Sequence, residues 1–236
     1  LSLINDILQK HQQSNIKTLY ELYQTEANFL LTFRELDHFP GRKRTGFLGP
    51  VLDADIGEIP AWPDVPGPHI FIYITALTLP HLKPMFEAIE TMQVSCLVYC
   101  SGLSEEDRCK LSRPNVSFSE SLLNMNLVTK HCKLAICHAG HGAVSFLLLK
   151  GVPILALPRH LDQLIIAEII QRKGWGHYVS MTRVGIKYRQ IIERLLNDPS
   201  YRKKTRKFAQ TYKNYNSSKV ISSMLKTIND LTNIKP

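Results

Sequence analysis

No run of about 18 or more apolar residues occurs among the 236 positions, so the sequence offers no helical membrane span. The opening Leu1-Ser2-Leu3-Ile4-Asn5-Asp6 lacks the basic-then-apolar pattern of a secretory leader. It also lacks an initiator methionine, and the expectation is a piece of a longer protein. Cysteine is sparse and odd in number: Cys96, Cys100, Cys109, Cys132 and Cys137, with no C-x-x-C pair. That pattern argues against a disulfide framework or a zinc site and for reduced thiols in a cytoplasmic protein. No internal repeat or low-complexity tract is present. The G-x-G-x-x-G dinucleotide fingerprint and its acidic residue are missing, which disfavours a nucleotide-dependent oxidoreductase, and no Gly-Lys-Ser/Thr follows a glycine loop. A paired-Asp metal motif is absent too, so no metal site is expected. Acidic residues are in the minority, 20 against 29 Lys and Arg, giving a formal charge of +9. Such a balance suits a phosphate-bearing ligand, an anionic membrane surface or nucleic acid.

What the chain does have is centred on Cys137-His138-Ala139-Gly140-His141-Gly142-Ala143-Val144. Leu134 to Cys137 read as a short buried strand. The His-Ala-Gly-His-Gly run that follows is too glycine-rich for strand or helix. A helix is predicted from Ala143 to Lys150, stopped by Gly151 and Pro153, and Ile154 to Leu157 form a second strand closed by Pro158. This is a βαβ unit whose turn offers main-chain N–H groups at a helix start. Such a start carries about half a positive charge and suits an anion, above all a phosphate.

These residues resemble a family. His138-Ala139-Gly140-His141-Gly142, then Gly151-Val152-Pro153, then Pro158 and Asp162-Gln163, are similar in order and spacing to the donor-binding signature of GT-B glycosyltransferases. The likeness is to the group that moves sugars from nucleoside diphosphates to small molecules, and it extends more weakly over most of the chain. One departure is Ala143, where the family often has Thr. The resemblance implies an α/β fold: a Rossmann-like parallel sheet with helices on both faces, preceded by a stub of the N-terminal domain. It divides the chain into that remnant of the acceptor domain (1–39), an interdomain linker (40–68) and the nucleotide-sugar donor domain with its C-terminal helices (69–236). The linker holds many of the prolines and glycines.

The resemblance also implies the site. His138 would meet the pyrophosphate; the bland alternative is a hydrogen-bonded structural histidine. His141 is expected at solvent or at an interface, the alternative being that it too reaches the ligand. Gly140, Gly142, Ala143 and Val144 would act through main-chain N–H groups, the alternative being a tight turn without a ligand. Asp162 and Gln163 would hold sugar hydroxyls, although Asp162 is equally an ordinary helix N-cap. Leu122 lies where the family holds the nucleobase, but the family's proline nearby is absent. Thr75 would reach a phosphate from the first loop. The donor would be a UDP- or TDP-sugar, with no cofactor, and the acceptor a small lipophilic hydroxyl compound. The catalytic base belongs, by resemblance, to the N-terminal domain and is not among these residues. The alternative function is a non-catalytic nucleotide-sugar-binding half that needs a separate acceptor domain.

Along the chain, helical spacing is expected over Leu1 to about Lys17, a short second helix over Leu19 to Tyr23 and a strand over Asn28 to Phe33. Strands follow at Ile70–Ile74, Val94–Tyr99, Val116–Phe118 and His177–Met181. Helices are expected from Pro80 to about Met92, Glu105 to Leu111, Leu122 to His131 and about Gln163 to Lys173, the last capped by Gly174. Three helices close the chain, near 187–197, 201–212 and 218–231. The second carries Arg202, Lys203, Lys204, Arg206 and Lys207. Such a run is ordinarily a solvated face; its alternative is peripheral contact with anionic lipid. Nucleic acid is disfavoured because no aromatic residues interleave with the cations.

Overall fold

The computed structural model describes every residue except Pro40, 43–45, Ala54, 76–78, 181–184 and 233–236, and omits the side chains of 79–82. The predicted linker start, the loop at 76–78, the inward Leu82 and the strand end at Met181 therefore lie outside the described residues.

Six strands form one parallel sheet: β1 His69–Thr75, β2 Ser95–Ser101, β3 Val116–Ser119, β4 Cys132–Cys137, β5 Ile154–Ala156 and β6 Gly176–Tyr178. Their order is β3-β2-β1-β4-β5-β6, the doubly wound arrangement. Nine α-helices are described: α1 Ser2–Lys10, α2 Leu79–Glu90, α3 Glu105–Leu111, α4 Met125–His131, α5 His141–Leu149, α6 Leu161–Lys173, α7 Tyr188–Asn197, α8 Pro199–Thr211 and α9 Ser217–Thr232. No described helix is long and apolar enough to cross a membrane.

The core has two halves because side chains alternate across a strand. On one face Ile70, Ile72 and Ile74 of β1 pack with Met85, Phe86 and Ile89 of α2 and with Ile192 and Leu195 of α7. On the other face Phe71, Ala135 and Ile154 meet Val144, Leu147 and Leu148 of α5 and Ile166, Ala167 and Ile170 of α6. Helix α8 contributes Tyr201 to the first half and Phe208 to the second, so it crosses the end of the sheet. The Thr205 hydroxyl donates to the Gly151 carbonyl at 2.9 Å, which places that crossing where β5 begins. Cys96, Cys132 and Cys137 are buried; burial pushes the Cys132 thiol up to about 12 and the Cys137 thiol up to about 11.

Several expected boundaries move. Helix α1 ends at Lys10, not Lys17, because Gln12 turns into the left-handed region and the Asn5 side chain binds the Ile16 backbone instead. The Asn28–Phe33 strand is replaced by irregular chain with one bridge, Leu30 to Phe47, since no neighbouring strand lies beside it among the described residues. Phe33 instead drops into the core, its ring 5.2 Å from Phe208 and 4.3 Å from Tyr212. Helix α4 starts at Met125 rather than Leu122: the Asn124 side chain accepts from the Leu127 N–H at 3.1 Å and acts as N-cap. Leu122 stays in the preceding loop, where its carbonyl accepts from the Glu58 N–H at 2.8 Å. The proline-rich stretch is thus stitched to the sheet domain at Glu58. Helix α5 starts at His141, so His141 and Gly142 are helical despite the glycines. Gly174 ends α6 as expected, at φ 68°.

Candidate donor-binding site

The site forms where strand order reverses, between β1 and β4, outside their carboxyl ends. Thr75 closes β1 and His138 follows β4. The Thr75 N–H donates to His138 Nε2 at 3.0 Å. Nε2 therefore carries the lone pair, and Nδ1 carries the proton that it donates to the Leu157 carbonyl at 2.9 Å. Burial holds the His138 pKa below its usual value against the raising effect of these two main-chain bonds. The ring is neutral near pH 7, and main chain engages both of its nitrogens. It presents no free N–H to a ligand in this structure, which departs from the expected pyrophosphate donor.

Ala139 comes next, fully buried at φ 63°. A non-glycine residue there costs roughly 1–2 kcal/mol, and strain of this kind gathers at functional turns. Gly140 is the N-cap of α5, and no side chain caps that helix. The N–H groups of His141, Gly142 and Ala143 have no partner one turn back and point out of the helix start. Val144 is different: its N–H is spent on the Gly140 carbonyl at 3.0 Å and its side chain is buried. The structure does not bring Val144 into the site. A Cβ added at Gly140 or Gly142 would meet nothing within 4 Å. His141 turns aside, its Nε2 2.8 Å from the Thr32 hydroxyl, and burial, with His38 nearby, lowers its pKa. It serves an interface with the N-terminal segment.

Asp162 and Gln163 both lie in the first turn of α6. Asp162 is not the N-cap, because the helix starts two residues earlier than expected and His160 takes that position. Asp162 is exposed. Gln163 Oε1 accepts from the Arg159 N–H at 2.9 Å. Gln163 lines a cavity of ≈ 330 Å³ with Thr75, His138, Gly140, Ala143 and Leu122. A second cavity of ≈ 340 Å³ adjoins it, lined by Val51, Leu52, Ile56, Phe71, Met125, Gly142 and Phe146 among others. Tyr73, Tyr99, Leu122 and Ala143 line both, so the two are one cleft with a polar end and an apolar end.

Sequence reasoning missed two parts of this cleft. One is the aromatic wall: Phe71, Tyr73 and Tyr99 are stacked in series, with centroids 6.1 and 5.7 Å apart. Its trace in the sequence is the alternation that puts Phe71 and Tyr73 on the face of β1 opposite the isoleucines. The other is Arg159, whose Nη1 donates to the Thr75 hydroxyl at 2.9 Å. Its only sequence trace is a lone cation between Pro158 and Asp162-Gln163.

No protein-family model matches the chain. Solved structures with closely similar folds include the calicheamicin glycosyltransferase CalG4, at TM-score 0.74 and 19% identity, covering 100% of this chain and 61% of CalG4. Glycosyltransferase VinC, solved in complex with dTDP, superposes at TM-score 0.73 and 17% identity over 94% of this chain and 57% of its own. The fold is that of the C-terminal half of a GT-B glycosyltransferase. In sequence, a PGL/p-HBAD biosynthesis glycosyltransferase of Mycobacterium tuberculosis is 22% identical over 198 residues, 82% of this chain. The chain spans 44% of the length of that curated relative.

Proposed function

We propose that the chain is the donor-binding half of a glycosyltransferase that moves a sugar from a nucleoside diphosphate sugar to a hydroxyl of a small lipophilic acceptor. The observation that carries this reading is the two-ended cleft at the strand-order reversal. Its apolar end, walled by Phe71, Tyr73 and Tyr99, offers the flat surface that a nucleoside needs. Its polar end meets the open N–H groups at the start of α5, which suit a diphosphate leaving group. Gln163, on that cleft's edge, and the neighbouring Asp162 fit sugar hydroxyls. That one structural neighbour holds dTDP is in keeping with this arrangement.

Transfer also needs a base to take the acceptor proton as the new glycosidic bond forms. We assign that group to the N-terminal half of the complete protein, facing this cleft. The outward face of α8, with Lys203, Lys204, Arg206 and Lys207 exposed, fits peripheral contact with an anionic membrane that dissolves such an acceptor.

Calorimetric titration of the folded chain with UDP, TDP, uridine and thymidine, with and without EDTA, tests the donor reading. Binding of a nucleoside diphosphate in both conditions is expected. Absence of binding to both diphosphates would refute it. Donor binding that never yields transfer, even with an added N-terminal half, would make the chain a binding module instead.

A further inference from the structure

A diphosphate brings at least two negative charges into the polar end of the cleft, and the residues lining that end supply little to balance them. The start of α5 provides about half a positive charge. His138 is neutral, with one nitrogen donating to Leu157 and the other accepting from Thr75. Arg159 is a full cation bonded to two residues of that lining. Its main-chain N–H is fixed on Gln163 Oε1 at 2.9 Å, and its Nη1 is held by the Thr75 hydroxyl at 2.9 Å. Thr75 Oγ1 in turn lies 3.2 Å from His138 Nε2, so the hydroxyl is fixed between the guanidinium and the imidazole. None of the ion pairs among the described residues includes Arg159. A guanidinium that is exposed, aimed by a hydroxyl across the rim and free of any carboxylate still has donors in its planar fork, and that fork matches phosphate oxygens.

We infer that Arg159 is the cation that binds the donor's diphosphate, and that Thr75 and His138 are positioning residues that hold its side chain over the polar end of the cleft. This rests on the donor-site reading above, and it replaces a direct phosphate contact by His138 with an indirect role. The chain of contacts runs from Leu157 through the His138 ring to the Thr75 hydroxyl and on to Arg159. The links join the ends of three different strands, so the device exists only in the folded sheet. Gln163 serves twice here, since its Oε1 fixes the Arg159 backbone while its NH₂ group is left for a sugar hydroxyl.

The test uses the full chain and four kinds of probe: UDP, TDP, their nucleosides and inorganic pyrophosphate. Arg159 is exposed, so Arg159→Ala is expected to unfold at the same temperature as the parent. It should lose about tenfold or more in affinity for UDP, TDP and pyrophosphate, the usual effect of removing a charge-assisted hydrogen bond, with nucleoside affinity unchanged. Arg159→Lys should recover part of the loss. Thr75→Val should show a smaller loss confined to the phosphate-bearing probes, and Thr75→Ser should restore it, which a merely structural threonine would not do. Nucleotide or pyrophosphate binding that is untouched by Arg159→Ala, or equal losses for nucleotide and nucleoside, would overturn the assignment while leaving the donor reading intact. Pyrophosphate binding that depends on Arg159, without any nucleotide binding, would keep the assignment and sink the donor reading. No binding of any probe by the folded chain would overturn both.

Discussion

Gly142 separates stability from binding. It is the second residue of α5, its φ lies outside the left-handed region, and a Cβ there would meet no heavy atom within 4 Å. Alanine is therefore sterically free to occupy the position and is the better helix former. Replacing a helical glycine by alanine is worth roughly 0.5–1 kcal/mol. For a domain of this size that amounts to a rise of about 1–4 °C in Tm. The empty space around the missing Cβ is the apolar end of the cleft, which Gly142 lines with Ala143 and Phe146. If the cleft holds the proposed nucleotide, a methyl group there would push it outward, and a displacement of about 0.5–1 Å forfeits a quarter to a half of each contact it disturbs. Overfilling of this kind costs roughly 1–3 kcal/mol, or about five- to a hundredfold in Kd. Gly142→Ala should thus raise Tm and weaken UDP or TDP binding. Thermal unfolding followed by circular dichroism, with calorimetry on the same samples, reads both. A fall in Tm would mean that the turn needs glycine for a backbone reason absent from the geometry above. A raised Tm with undiminished affinity would mean that no ligand approaches this face of α5.

Three further outcomes are expected. Gly176→Ala should destabilise the fold by about 1–3 kcal/mol, as overpacking does, because its Cβ would be driven into the Ile154 carbonyl oxygen of the neighbouring strand; denaturant unfolding measures it, and an unchanged midpoint would refute it. Acid should weaken the fold from about pH 6.5 downward, the usual histidine range, because burial lowers the pKa of His138, His141 and His69 in the folded state. The unfolded chain then takes up protons that the folded one resists, so stability is intact above that pH and lost as pH falls through it; a Tm that is flat or rising as pH falls from about 7.5 to about 5 would contradict this. Reversing Lys203, Lys204, Arg206 and Lys207 to glutamate should abolish co-sedimentation with vesicles rich in anionic phospholipid, each cation contributing about 1 kcal/mol at such a surface; a parent chain that ignores these vesicles at low salt would remove the membrane contact.

Much of the fold was legible because parallel α/β structure leaves strong local marks. The strands are short, continuous apolar runs that need cover on both faces, and they alternate with amphipathic helices such as α2, whose Met85, Phe86 and Ile89 face inward as their spacing requires. Gly174 marked a helix end because only glycine enters the left-handed region without cost. Gly140 and Gly142 marked the start of α5, although that helix begins at His141 rather than Ala143. Where periodicity misled, a competing local bond or a missing neighbour was the cause. Asn124 took the cap of α4 from the apolar run before it. The apolar stretch Asn28 to Phe33, strand-like by itself, found no strand to pair with and gave its phenylalanine to the core instead.

The sequence by itself determined which residues sit at strand ends and which helix start is bare, because these follow from periodicity, caps and glycine, all acting within a few residues. Only the tertiary structure decided which strand ends meet. The order β3-β2-β1-β4-β5-β6 brings Thr75 onto His138 across 63 residues and Arg159 onto Thr75 across 84. It also lays Tyr73 of β1 beside Tyr99 of β2 to make one aromatic wall. Hydrophobic alternation tells a strand which face to bury but carries no label for its neighbour. The neighbour is settled when two sheet faces and their helices pack at once, and that same packing fixed the neutral form of His138 and the place of Arg159.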